Sequence, residues 1–248
     1  VVERAATSLG TARGSMVFEA MNPNYKEDLP REWWLTGYQI MPADEVIAKI
    51  KANDPSLTVL DMSERQLQGS RCEILAEAMM NNSSITEVDF RGNGFDADGL
   101  FALVQAFRTM PSLTRINLRG NSCRNEGVEA LARWLSTNRT VTALNLNENN
   151  LGDDGCKHMA EMLKSNTTLK KLDLSHNELS ALHTLEPLTH LTQLSLENNM
   201  ISSLAGLAHL SSLMELYIGN NEVHELPEVD HLKNLPKLII YWKNKSFI

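Results

Sequence analysis

Cysteine is scarce in this chain: three residues in 248, at positions 72, 123 and 156, too few and too scattered for a disulfide framework. That pattern points to a reducing compartment. Long apolar runs are missing as well. No stretch approaches the ~20 residues that a membrane span needs, and the opening Val1-Val-Glu-Arg lacks the apolar core of a secretory signal. Neither membrane insertion nor secretion is expected. Basic residues are outnumbered, with a net charge of −8 and a pI near 5.4, which argues against a nucleic-acid partner. The motifs of chemistry are absent too: no phosphate-cradling Gly-Lys-Ser/Thr loop, no nucleophile elbow, no Cys-x-x-Cys pair. His209 and His231 share a slot in successive units, but two imidazoles without a carboxylate or thiolate beside them make a poor metal site. The expectation is a non-enzymatic protein with no metal, no cofactor and no small-molecule substrate.

What the chain does have is one phrase repeated. Leu113-Thr-Arg-Ile116-Asn-Leu118-Arg-Gly-Asn121 returns as Val141-Thr-Ala-Leu144-Asn-Leu146-Asn-Glu-Asn149 and as Leu169-Lys-Lys-Leu172-Asp-Leu174-Ser-His-Asn177. It opens at Leu57, Ile85, Leu113, Val141 and Leu169, at intervals of 28 residues, then at Leu191, Leu213 and a degraded Leu235, at intervals of 22. Units this small cannot bury an apolar face alone, so their recurrence predicts a stacked array with one strand and one return segment per unit.

The longer units carry apolar columns such as Leu100, Leu103, Val104 and Phe107, spaced i, i+3, i+4, i+7 as on one helix face. Asp98, Asn125 and Asp153 sit where acceptors for the first-turn amides are expected. The shorter units read Leu179-x-x-Leu182-x-x-Leu185-x-x-Leu188 and Ile201-x-x-Leu204-x-x-Leu207-x-x-Leu210, a spacing of three that suits 3-10 or extended returns. Cys123 takes a slot held elsewhere by Leu67, Phe95, Leu151 and Leu179, while Cys72 and Cys156 take that of Leu100 and Val128, so all three are expected to be buried, inert thiols. A column of asparagines, Asn93, Asn121, Asn149, Asn177, Asn199 and Asn221, is expected to satisfy buried backbone groups where the chain turns. Asn82, Asn138 and Asn166 begin glycosylation-like triplets but fall where helices end, and are expected to serve as left-handed caps there.

The L-x-x-L-x-L-x-x-N wording is identified as that of leucine-rich repeats. Residues 57–168, with Gly152-Asp-Asp-Gly155-Cys-Lys-His-Met159 as an example, resemble the ribonuclease-inhibitor type. Residues 169–234, with Leu213-Met-Glu-Leu-Tyr217-Ile-Gly-Asn-Asn221, resemble the short repeats of protein phosphatase-1 regulatory subunits and of many ciliary or cytoskeletal proteins. Ile50-Lys-Ala-Asn53-Asp-Pro-Ser-Leu57-Thr is similar to the start of the tropomodulin repeat domain. The resemblance implies an α/β solenoid of horseshoe shape. Its parallel β-sheet would line the concave side, with helices on the convex side of the N-terminal repeats and 3-10 or extended returns in the C-terminal ones. The expected organisation is an N-terminal extension or cap (1–43), a capping helix (44–56), the two classes of repeat, and a degenerate terminal repeat (235–248). Trp33 and Trp34 either plug an apolar end of the array or display a binding motif.

Alternation along a strand puts the residues between the leucines on the concave surface. The candidate partner-binding residues there are Asp61, Asp89, Arg91, Arg115, Asn117, Arg119, Asn145, Lys171 and Asp173, with Tyr217, Tyr241 and Trp242 toward the far end. Arg91, Arg115 and Arg119 lie close together. They form either a solvated, self-neutralising charge lattice or a patch that grips carboxylates. The leading expectation is a cytoplasmic scaffold, with a cytoskeletal or ciliary location as a variant, that binds a protein partner on this face. The alternatives are a regulator of a small GTPase or of a protein phosphatase, and a structural component of axoneme or cytoskeleton.

Overall fold

The computed structural model describes residues 17–19, 43–182 and 190–241. Each repeat opens with a three-residue strand: β2 (Val59–Asp61), β3 (Glu87–Asp89), β4 (Arg115–Asn117), β5 (Ala143–Asn145), β6 (Lys171–Asp173), β7 (Gln193–Ser195), β8 (Glu215–Tyr217) and β9 (Ile239–Tyr241). All pair in parallel, each with the next, so that Leu60, Val88, Ile116, Leu144, Leu172, Leu194, Leu216 and Ile240 stand in one line. Every member of that line is buried. The degraded eighth repeat therefore still contributes a strand in register. An additional strand, β1 (Val17–Glu19), pairs with β9 beyond the last repeat, at the end of the sheet away from β2. Trp33, Trp34, Leu185, Leu188 and Trp242 lie outside the described residues.

Helix α1 (Ala43–Lys51) precedes the array and buries Val46 and Ile50 against the first repeat. Each long unit then supplies one helix: α2 (Ser70–Met79), α3 (Ala97–Phe107), α4 (Arg124–Thr137) and α5 (Gly152–Leu163). The i, i+3, i+4, i+7 columns read from the sequence are the buried faces, for example Val128, Leu131, Ala132 and Leu135 of α4. The short units return instead through 3-10 turns at Ala205–Leu207 and Leu226–Leu232. One continuous core runs from α1 to β9.

Helix starts differ from expectation. Asp96, not Asp98, caps α3 by accepting from the Gly99 N–H at 2.9 Å, and α4 and α5 begin without a side-chain cap. Asp98, Asn125 and Asp153 lie one or two residues inside their helices, where carboxylates still favour the positive end of the helix. Asp153 reaches out of its own repeat: its carboxylate accepts from the N–H groups of Ser180 (2.9 Å) and Ala181 (3.2 Å) and from the Ser180 hydroxyl (2.6 Å).

Two asparagine ladders hold the stack. In the expected one, Asn121 accepts from the Asn93 and Phe95 N–H groups, and donates to the carbonyls of Phe90 and Leu118. Asn93, Asn177 and Asn199 repeat the pattern. The second ladder corrects the cap assignment. Asn138 has an extended backbone, and neither Asn82 nor Asn166 adopts a left-handed conformation. Each of the three accepts from the N–H groups two and three residues on. Asn82 also donates to the Ile50 carbonyl, and Asn166 to that of Leu135. Side-chain amides are used here because they can close a local turn and still donate to the preceding repeat.

Candidate protein-binding face

The middle column of the concave sheet is a structural device. Asp61, Asp89, Asn117, Asn145 and Asp173 each end a strand, and each Oδ1 accepts from the backbone N–H two residues on, at 2.8–3.1 Å. A short side chain with a planar acceptor closes this turn, which explains Asp or Asn at every one of these positions. Neighbouring strands flank the column at ~4.8 Å on both sides. Asp89, Asn117, Asn145, Asp173, Ser195 and Tyr217 are consequently buried. This column forms a closed floor, not an exposed trough.

Burial has electrostatic consequences. It pushes the Asp89 carboxyl above the ordinary carboxylate range, against the opposing pull of the Arg91 N–H and guanidinium. Asp173, deeper still, is pushed up for the same reason, opposed by bonds from Ser175 and Asn147. Beside Asp173, the Asn147 side chain donates from Nδ2 to Asp173 Oδ2 at 3.5 Å, while its buried Oδ1 has no partner.

The flanking columns are the accessible part. Arg115 is the most open of the candidates, its side chain 45% exposed, and its Nη1 pairs with Glu87 at 3.0 Å. Arg91 lies 3.6 Å from Asp89, and Arg119 3.9 Å from Glu148. Each candidate arginine thus faces a carboxylate of this chain, which is the self-neutralising arrangement of the two expected. Lys171 is half-buried between Ala143 and Gln193 in the sheet register. At the far end the rings of Tyr217 and Tyr241 stack with centroids 4.3 Å apart and planes 6° from parallel, and the Tyr217 hydroxyl donates to Glu215 at 3.1 Å. The face therefore has two separate zones rather than one assembled site.

Glu87, Glu148 and Glu215 escaped the sequence reading although they pair with the candidates. The signal was available for Glu87, which occupies the same strand position as Arg115 one repeat earlier. For Glu148 it was not, because the left-handed backbone that aims it (φ 59°) is invisible in a periodic pattern. Among the described residues no cluster of His, Cys, Asp or Glu is placed to hold a metal, and no helix is long and apolar enough to cross a membrane. The three cysteines are buried and joined by no disulfide; desolvation pushes the Cys72 thiol to about 12 and raises that of Cys123 further.

Comparison with known proteins agrees with this architecture. A family model described as "Leucine Rich repeat" matches residues 81–104, 109–132 and 137–160, and one described as "Leucine Rich repeats (2 copies)" matches 167–209. No curated protein matches the sequence. Among solved structures, the chain is similar to internalin C2 of Listeria monocytogenes, at 20% identity and a TM-score of 0.56 over 81% of this chain and 77% of that one. It is similar to the tropomodulin C-terminal domain of Caenorhabditis elegans, at 21% identity and 0.50 over 59% and 91%. It is also similar to leiomodin-1 actin-binding site 2, at 26% identity and 0.49 over 52% and 76%. The likenesses to internalin C2 and to the tropomodulin domain speak for the fold alone.

Proposed function

This chain is a leucine-rich repeat protein, and on that premise we propose that it is a non-enzymatic scaffold binding a protein partner on its concave face. The observation that carries the reading is the division of that face into a locked floor and accessible walls. The floor side chains are tied to their own backbone, so a partner meets a preformed surface and little ordering opposes binding on this side. On the walls, Arg115 and Arg119 are held by partly exposed ion pairs, worth only about 0–1 kcal/mol each, while Arg91 lies against the buried Asp89. A partner carboxylate can replace Glu87 or Glu148 at small loss and gain a bidentate contact. Tyr241, half-buried and stacked on the buried Tyr217, offers a second, aromatic zone.

The test is affinity purification from the native source with wild type and with Arg91, Arg115 and Arg119 all changed to Glu. Loss of the partner supports the patch; unchanged recovery removes it from the account. Buried cysteines outside any disulfide fit a cytoplasmic setting. The helix in every 28-residue unit fits the ribonuclease-inhibitor type, and the 3-10 returns fit the phosphatase-regulator type. Stimulated GTP hydrolysis or altered phosphatase activity would favour the regulatory alternative. The tropomodulin-like wording of Ile50 to Thr58 favours a cytoskeletal role, which actin co-sedimentation checks.

A further inference from the structure

Away from the concave face, α3 and α4 end at one rim of the solenoid, where the chain turns back toward the next strand. An open depression of about 430 Å³ lies there, lined by Arg108, Arg133, Trp134, Thr137, Asn138 and Arg139. Three guanidinium groups line one concavity in a protein whose net charge is −8. Their local compensation is incomplete. Arg133 pairs with Glu129 one helical turn earlier. Arg139 uses its Nη1 on the carbonyls of Ser136 and Asn138, both at 2.8 Å, and among the described residues its Nε and Nη2 make no bond. Arg108, at the C-cap of α3, makes no side-chain hydrogen bond or ion pair among the described residues. The helix ends explain why cations are tolerated here, since the last carbonyls carry partial negative charge. They do not explain three cations around one hollow with a single carboxylate among their partners.

We propose that this rim is a second docking site, which takes a carboxylate-rich peptide segment of a protein partner. Planar guanidinium forks match carboxylates in bidentate geometry, and a concave cluster of one sign concentrates the opposite charge. The open, polar shape suits side chains of an extended peptide better than an enclosed small molecule. Phosphate is a poorer match: its usual cradle is the backbone N–H groups of a helix N-terminus, whereas α3 and α4 present carbonyl ends here. Trp134, buried beneath the arginines, gives the floor a rigid indole.

The site is independent of the concave face, and so is its test. A fluorescein-labelled twelve-residue Glu/Asp peptide is titrated with the full chain and anisotropy is read at low and at physiological salt. Binding by wild type should weaken roughly tenfold or more when Arg108 and Arg139 are both changed to Gln, and further with Glu. Changing Arg91, Arg115 and Arg119 to Gln instead should weaken peptide binding less than the change of Arg108 and Arg139 does. Circular dichroism with unaltered melting confirms that the Gln variant is folded. Absence of peptide binding, equal binding by the Gln variant, or stronger binding of inorganic phosphate or of a labelled oligonucleotide overturns the proposal. Loss of binding in the concave variant alone would also overturn it.

Discussion

Asn149 donates from a fully buried amide to the Leu118 carbonyl at 2.9 Å and to the Asn147 carbonyl at 3.1 Å, and accepts from the Cys123 N–H. Truncation to alanine strands backbone groups in two repeats at once, each costing about 1–3 kcal/mol when buried and unpaired. Asn149→Ala should therefore lower stability by several kcal/mol in guanidinium denaturation, while Asn220→Ala, at an exposed position, should change it by a fraction of that. Asp173 behaves in the opposite sense. Its pKa is raised by burial, so the group stabilises the fold fully below its unfolded value of about 3.9, and that contribution is lost as pH rises through the folded value. Asn117 and Asn145 close the same turn with an amide, so an amide at 173 keeps the bond from the Ser175 N–H and removes the buried charge. Asp173→Asn should raise stability at pH 8 by roughly 1 kcal/mol or more, with the gain shrinking toward pH 4. An unchanged or lowered denaturation midpoint at pH 8 would refute this account of Asp173.

Gly127 lets α4 approach α3 closely: a Cβ there would lie 3.1 Å from the Ala97 Cα, whereas one at Gly155 would first meet the Leu151 Cβ of its own repeat at 2.9 Å. Among the described residues no α-helix follows α5, and Asp153 ties it to the 22-residue units. Its carboxyl, despite some desolvation, is held below the usual range by the Ser180 hydroxyl and the Ser180 and Ala181 N–H groups. A depressed pKa means that this contribution is present above the unfolded value and is lost as pH falls through the folded one. Asp153→Ala should speed hydrogen exchange at the Ser180 and Ala181 amides at neutral pH, with little effect on amides of β2 or β3. Unchanged exchange there would show that core packing alone makes the joint. The pattern of apolar residues announced which units hold helices, but nothing in it distinguished a residue that caps its own helix from one that grips the next repeat. That choice depends on a distance between turns 27 residues apart.

A solenoid has ends, and each must be closed. Ile50 of α1 is about 1% exposed, and its carbonyl receives the Asn82 amide. Ile50→Ala should cost roughly 2–4 kcal/mol and, because repeats couple mainly to neighbours, should loosen the first repeats before the last. Hydrogen exchange resolved along the chain distinguishes this from uniform loosening, which would mean that the array melts as one unit. At the other end β1 adds to β9, a long-range pairing that the unperiodic residues before the array gave no sign of.

The recurrence of one short phrase was enough to determine the parallel array, its register, the division between helical and 3-10 returns, and the asparagine ladder, because each depends on spacing along the chain. What lies exposed was decided only by the tertiary structure. Five of the candidate partner-binding residues, Asp89, Asn117, Asn145, Asp173 and Tyr217, are buried in the floor. The arginines beside them already hold carboxylates of their own chain, and the three cations at the rim come together from the ends of two helices. Burial and charge pairing are set by how closely neighbouring repeats stack, and a one-dimensional pattern carries no measure of that distance.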